Sequence, residues 1–336
     1  MDKKQLVVIG GGTGTHTILR GLKNYQSAID ITSIVTMADS GGSTGRLRDE
    51  FGYLPVGDVR MALTALARDT DEHENLLREL FLYRFDKGEG LSGHNFGNLL
   101  LVALTDILGS EEAAILAAAK VLRVSGKVLP VTTEKISLTA TYDDGVEVVG
   151  QHKIDSPTIE RVEHKIMKIG LVPEAKLSTG AEAAILAAEV IVLGPGDLYT
   201  SILANCVVGG VKDAILKSPA KVIYVCNLMT RYGQTSDLGV VEHTQEITNY
   251  IGKKPDVVLV NNGDYPSDLL DRYAEDKEFP VVSNFSNEQK EFITADLIAT
   301  AAVKTVAGDK LKRSLIRHDS NKLAAEIMKI ILDLNE

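Results

Sequence analysis

The chain has 336 residues, 44% hydrophobic and 24% charged, a composition that buries a sizeable core and excludes an intrinsically disordered chain. Its 46 acidic residues against 36 basic ones give a formal charge of −10. That argues against a nucleic-acid binder, which needs a basic face to neutralise phosphates, but leaves room for a small anion held by local Arg and backbone N–H groups. The two cysteines, Cys206 and Cys226, match no metal-ligand spacing and read as buried free thiols of a reducing cytosol. The N-terminal apolar run is too short for a signal peptide, and no apolar segment reaches the roughly 20 residues that cross a bilayer. A soluble, cytoplasmic protein is expected.

In chain order, QLVVIG at 5–10 is a short apolar run stopped by glycine, as a buried parallel strand is. GGGTGT (10–15) follows, then a helical pattern over 16–26 with Ile18, Leu19 and Leu22 on one face, then a strand over 31–37. Two strands joined by a helix make a βαβ unit. Residues 58–84 and 94–122 read as helices. Over 127–170, alternating β-branched residues on either side of Asp143-Asp144-Gly145 predict a small antiparallel insertion built on a hairpin. Strands of the first type return at 190–193, 221–226 and 256–260, and a last helix spans 320–334, capped by Asp319 or Ser320. The expected fold is one α/β domain over 1–336, a Rossmann-like parallel sheet flanked by helices with a small antiparallel β insertion.

Ligands of open α/β sheets bind outside the carboxyl ends of the strands, and five loops fall there. They are GGGTGT, DSGGSTGRLR (39–48), GPGDLYTSI (194–202), NLMTRYGQTSDLG (227–239) and NNGDYPSDL (261–269). Glycines let the first loop turn tightly and approach a phosphate, which the N–H groups of a helix N-terminus would hold, with Thr13 and Thr15 adding hydroxyl donors. A dinucleotide fingerprint is incomplete, because Thr15 stands where G-x-G-x-x-G has its third glycine. Asp39 would serve as the ribose acid of such a site, yet it opens a second glycine-rich loop in place of an ordinary one, which makes NAD the weaker reading. Asp39 is either a ligand-orienting, basic or Mg²⁺-binding carboxylate or an Asx-turn satisfying its own backbone. Asp58, in PVGDVR, reads equally as a helix cap or as a residue of the chemistry. Arg46, Arg48 and Arg60 are either phosphate partners or solvated charges. His94, Asn95 and Asn98 surround a helix N-terminus, where they either meet an anion or serve the fold. No serine-hydrolase elbow, H-E-x-x-H or P-loop motif occurs.

Taken in order, GGGTGT, DSGGSTGRLRDEFG, PVGDVR, SGHNFGNL, GPGDLYTSI and NLMT resemble the CofD-like family over nearly the whole chain. Within it they resemble the bacterial YvcK-type gluconeogenesis factor branch. The transferase side of that family moves a phospholactyl group from a guanosine-linked donor to a deazaflavin alcohol with Mg²⁺ and releases GMP. The YvcK-type branch is implied to bind UDP-sugars such as UDP-GlcNAc and to support cell shape and growth on gluconeogenic carbon sources. Self-association is implied for both.

The resemblance puts Gly12, Thr13, Gly14 and Thr15 in the first nucleotide or phosphate loop. Asp39, Ser40, Gly41 and Gly42 match the acidic motif facing acceptor and metal, so Asp39 would be the catalytic or Mg²⁺-holding residue of an enzyme. His94, Asn95 and Asn98 match the middle motif, and Gly194, Gly196 and Asp197 match a late loop that is more GPSNP-like in the transferases. Asn227, Thr230 and Thr235 fit the YvcK-type branch. Tyr265 would stack on a base or sugar or pack its own turn, and Arg317 would reach a phosphate or sit in water. Two functions follow as expectations: a nucleotide-sugar-binding regulatory factor, or a Mg²⁺-dependent transferase of a phosphorylated group.

Overall fold

The computed structural model describes residues 3–300 and 315–333. Seven strands make the main sheet: β1 (Lys4–Gly10), β2 (Ile29–Val35), β3 (Lys127–Pro130), β7 (Val190–Leu193), β8 (Lys221–Val225), β9 (Val257–Asn261) and β10 (Phe292–Ala295). Three shorter-range strands, β4 (Ser137–Tyr142), β5 (Glu147–Val149) and β6 (Ile166–Val172), make a separate antiparallel sheet in the order β5-β4-β6. The main sheet is parallel throughout, in the order β10-β9-β8-β7-β1-β2-β3. The chain therefore builds outward from β1 to β3, returns to the other side of β1 with β7, and builds outward again. This is the doubly wound α/β arrangement the sequence predicts.

The parallel strands form because their side chains are apolar on both faces. All four residues of β7 are buried, and burial of each such side chain contributes about 1.5–3 kcal/mol. Helices flank the sheet. The helix Gly12–Leu22 packs against Gly57–Leu66 and against the final helix Ser320–Asp333. Gly21 makes the second contact close, since a Cβ there would collide with the Ser320 carbonyl and come within 2.8 Å of the Ala324 Cβ. Asp319 is the cap of that last helix, its Oδ1 accepting from the Asn321 and Lys322 N–H groups at 2.9 Å each. Residue 334 of the expected helix lies outside the described residues. Both cysteines are buried and free. Among the described residues no helix is long and apolar enough to cross a membrane.

Several expected boundaries move, each for a local reason. The first helix starts at Gly12, four residues before its apolar pattern, because the glycine loop itself forms the first turn. The long span 58–84 breaks into Gly57–Leu66 and Glu72–Leu82, where Asp71 caps the second piece by accepting from the Glu74 N–H at 2.8 Å. The span 94–122 breaks at Gly109, which takes φ +76, and Ser110 caps the next helix.

The antiparallel part begins at Ser137, not at 127, because Lys127–Pro130 pairs in parallel with β2 and belongs to the main sheet. It ends at Val172, which pairs with Ser137. The hairpin turns at Asp143-Asp144-Gly145 as its chemistry predicts. QHKI (151–154), inside the expected antiparallel insertion, is not a strand but part of a short helix, Gln151–Asp155.

Candidate functional site

The winding reverses between β1 and β7, so the crevice of this sheet opens where their loops part. A cavity of about 330 Å³ lies there, and the loops after β1, β2, β7 and β8 all line it. The two glycine loops are built alike. Gly11 and Gly41 are extended, and Gly12 (φ +62) and Gly42 (φ +50) turn left-handed as the first residues of the helices Gly12–Leu22 and Gly42–Phe51. A Cβ on Gly42 would meet nothing within 4 Å, and one on Gly12 would meet only Ser201 Oγ at 3.9 Å. Glycine is needed at both for its backbone conformation, not for space. Two helix N-termini thus line one cleft with their positive dipole ends.

Carboxylates complete this part of the cleft. Asp39 Oδ1 accepts the Gly41 N–H at 2.9 Å, so the Asx-turn weighed for it is present. Its other oxygen lies close enough to Gly57 that a Cβ there would come within 2.5 Å. Asp58 starts a helix, yet its Oδ1 accepts the Gly12 N–H at 2.8 Å, capping the first glycine loop rather than its own turn. Burial raises the pKa of Asp39. Burial, then the charge of Asp39, pushes Asp58 up to about 7. Asp197 rises to about 6 through burial and the charge of Asp155. Arg231 lies between Asp155 and Glu278, at 3.7 and 3.5 Å, and all three line the cavity.

Of the residues predicted from sequence, Gly12, Thr13, Gly14, Asp39, Gly41 and Gly42 line the cavity. Asn98, Gly196, Asp197, Asn227, Thr230 and Arg317 line it as well. Gly14 and Gly196 meet closely, since a Cβ on Gly14 would come within 2.8 Å of the Gly196 nitrogen.

The other predicted residues stand behind this lining. Thr15 is buried beneath the first loop. Ser40 Oγ accepts the His152 N–H at 3.0 Å, which ties the insertion to the second loop. Gly194 (φ +81) precedes a cis peptide to Pro195. Asn95 caps the helix Phe96–Leu108. Thr235 Oγ1 accepts the Arg231 N–H at 2.8 Å, and Tyr265 donates its hydroxyl to the Leu228 carbonyl at 3.0 Å.

His94 sits in a buried network. Its Nδ1 is 3.2 Å from Ser43 Oγ, which also accepts from Asn98 Nδ2 at 3.3 Å, while Asn98 Oδ1 accepts from Arg60 Nε at 2.8 Å. The middle motif therefore braces the start of the second glycine loop's helix. Asn98→Ala should destabilise the protein by about 2 kcal/mol and His94→Ala by about 1, because the first removes a charged donor's acceptor and the second a neutral bond. Urea unfolding followed by circular dichroism checks the order; a larger loss for His94→Ala would contradict it.

Sequence reasoning missed His152, Asp155, Arg231, Glu278 and His318, which also line the cavity. Arg231 follows Thr230 directly and sat inside a flagged loop. QHKID carries no motif, so nothing local marked His152 or Asp155.

A family model described as 2-phospho-L-lactate transferase CofD matches residues 6–305. The chain is 37% identical over 333 residues to the gluconeogenesis factor of Bacillus subtilis, covering 98% of this chain and 99% of that one. It is 44% identical over 285 residues to the gluconeogenesis factor of Halalkalibacterium halodurans, covering 84% and 85%. The crystal structure of protein BH3568 from Bacillus halodurans superposes with a TM-score of 0.85 at 38% identity, covering 97% of this chain and all of that one.

Proposed function

The chain belongs to the CofD family, alongside relatives named gluconeogenesis factors, and from that premise we propose that its cleft binds a UDP-sugar of the UDP-GlcNAc type. In this reading the protein is a cytoplasmic, self-associating regulatory factor that couples the ligand's level to cell shape during growth on gluconeogenic carbon sources. One observation carries the ligand class: two helices opened by left-handed glycines line a single cleft, an arrangement suited to a diphosphate. Thermal unfolding against UDP-GlcNAc, UDP-glucose, UDP, GDP and NAD tests it. A UDP-sugar should stabilise by about 2.7 kcal/mol at a hundredfold excess over its dissociation constant. No shift with any UDP-sugar would sink the proposal.

A second reading, Mg²⁺-dependent transfer of a phosphorylated group from a nucleotide donor to an alcohol, is favoured by the Asp39 and Asp58 carboxylates. Both have raised proton affinity through burial, and Asp39 raises that of Asp58, with the Arg60 charge offsetting only part of the rise. Such an all-oxygen donor set fits a hard divalent cation, which Asp39 and Asp58 would hold. When bound, the ion would neutralise charge on the donor's phosphates. The chain's own part would be to orient the acceptor hydroxyl at Asp39 and cradle the donor on the N–H groups of Thr13 and Gly14. Release of GMP from a guanosine-linked phospholactate donor, lost in Asp39→Ala, is the expected result of this reading; no release with Mg²⁺ present removes it.

A further inference from the structure

One stretch of the cleft's lining is apolar: Leu228, Met229, Tyr273 and Ile316. These side chains belong to a small second apolar cluster, separate from the main core. The Tyr273 hydroxyl fixes that wall by accepting the Leu315 and Ile316 N–H groups at 2.8 and 3.2 Å. His318 lines the same cavity and is bridged through its backbone to Ile298 of the cluster.

His318 is only 8% exposed, and one of its ring nitrogens is hydrogen-bonded to the backbone of Cys226. The Cys226 N–H already donates to the Leu259 carbonyl at 3.0 Å. The partner is therefore the Cys226 carbonyl, and the ring donates to it. The other nitrogen, Nε2, is buried without a partner. Burial holds the His318 pKa down to about 4, so at neutral pH the ring is uncharged and Nε2 carries a lone pair. A buried acceptor left unpaired is unfavourable, and a ligand N–H that reached it would relieve that penalty.

We propose that His318 is a specificity residue that reads a nucleobase: Nε2 accepts a ring N–H from a base lying on the Leu228, Met229, Tyr273 and Ile316 wall. Uracil and guanine present a ring N–H at that edge. Cytosine and adenine present a lone pair there, which would face the lone pair of Nε2. The site thus selects uridine and guanosine nucleotides over cytidine and adenosine nucleotides. The inference rests on the nucleotide reading above and adds which bases that nucleotide carries.

Isothermal titration of the full chain with UDP, GDP, CDP and ADP tests it, for the wild type and His318→Leu. The wild type should bind UDP at least tenfold more tightly than CDP. His318→Leu should lose that preference by weakening UDP to the CDP level while CDP changes less than threefold, which also shows that the variant is folded. If the Leu variant does not fold, His318→Gln carries the test. Its amide offers either a donor or an acceptor, so UDP and CDP should bind within threefold.

Equal wild-type affinity for all four nucleotides overturns the base-reading role and leaves nucleotide binding standing. So does a UDP preference that survives in the Leu or Gln variant. Absence of binding by every nucleotide and nucleotide sugar overturns both.

Discussion

Gly14→Ala should unseat the floor of the cleft and abolish the nucleotide binding proposed for it, the largest effect expected from any single methyl group in the site. A Cβ at Gly14 would collide with the Pro195 carbonyl and press on the Gly196 nitrogen, all backbone atoms that cannot swing aside as a side chain tip does. The loops after β1 and β7 would have to part at the point where the winding reverses. Overpacking of this kind costs about 3 kcal/mol, which lowers the melting temperature of a chain this size by about 5 °C. Gly42→Ala is the informative comparison. Its methyl would meet no atom, so only the left-handed backbone penalises it, by about 1–2 kcal/mol. Thermal unfolding and nucleotide titration of both variants check the ranking. A Gly14→Ala protein that melts and binds like the wild type would show that the two loops do not meet as described.

Stability should also depend on pH through the cleft's carboxylates, with a sign opposite to that of ordinary ion-paired acids. The Asp58 pKa goes from 3.8 to about 7, and that of Asp197 to about 6. Between pH 4 and 7 the folded state therefore holds more protons than the unfolded chain, and the contribution of these groups falls as pH rises. It is fully present below about pH 4 and lost by the time pH passes 7. Because other acids, such as Glu74 (lowered to about 2), slope the other way, the quantity to measure is the difference between wild type and Asp58→Asn. The Asn retains an oxygen for the Gly12 N–H but carries no charge. At pH 8 the variant should be more stable by on the order of 2 kcal/mol. At pH 4 that gain should vanish. Under the transferase reading, Mg²⁺ should stabilise the wild type more at pH 8 than at pH 5 and leave Asp58→Asn unmoved. Urea unfolding at pH 4, 5 and 8 reads both; a variant that tracks the wild type throughout would mean that Asp58 is ordinarily ionised.

The difference between Gly14 and Asp58 also marks what the sequence reveals. The strands of the main sheet are legible because burial on both faces leaves uninterrupted apolar runs such as VIVL. The glycine loops are legible because only glycine turns left-handed without strain, and it had to appear where strands give way to helices. Lys127–Pro130 was not legible as a main-sheet strand: four residues ended by proline hold too little pattern to tell the neighbour they pair with. At Asp58 the sequence leaves a helix cap and a chemical role equally open, because capping is read from nearby positions. Its actual partner, Gly12, is 46 residues away. Arg231, Asp155 and Glu278 acquire meaning only when three distant segments meet. His94 and Asn95 stand out in the sequence at a helix N-terminus, and in the structure they hold the second loop from behind through Ser43.

The packing of Gly21 against Ser320 has a consequence for how this protein is made. The helix that opens the first glycine loop leaves the ribosome early, with Ile18, Leu19 and Leu22 ready for burial. Its brace comes much later: Asn24 and Asn321, which meet at 3.5 Å along that seam, are 297 positions apart. Contacts of such separation form slowly, because closure of the intervening chain must precede any gain from them. A nascent chain thus carries the first glycine loop long before the support of its helix exists. The first helix is fully packed only when the helix Ser320–Asp333 docks, so translation order and the completion of this layer are joined by a single glycine.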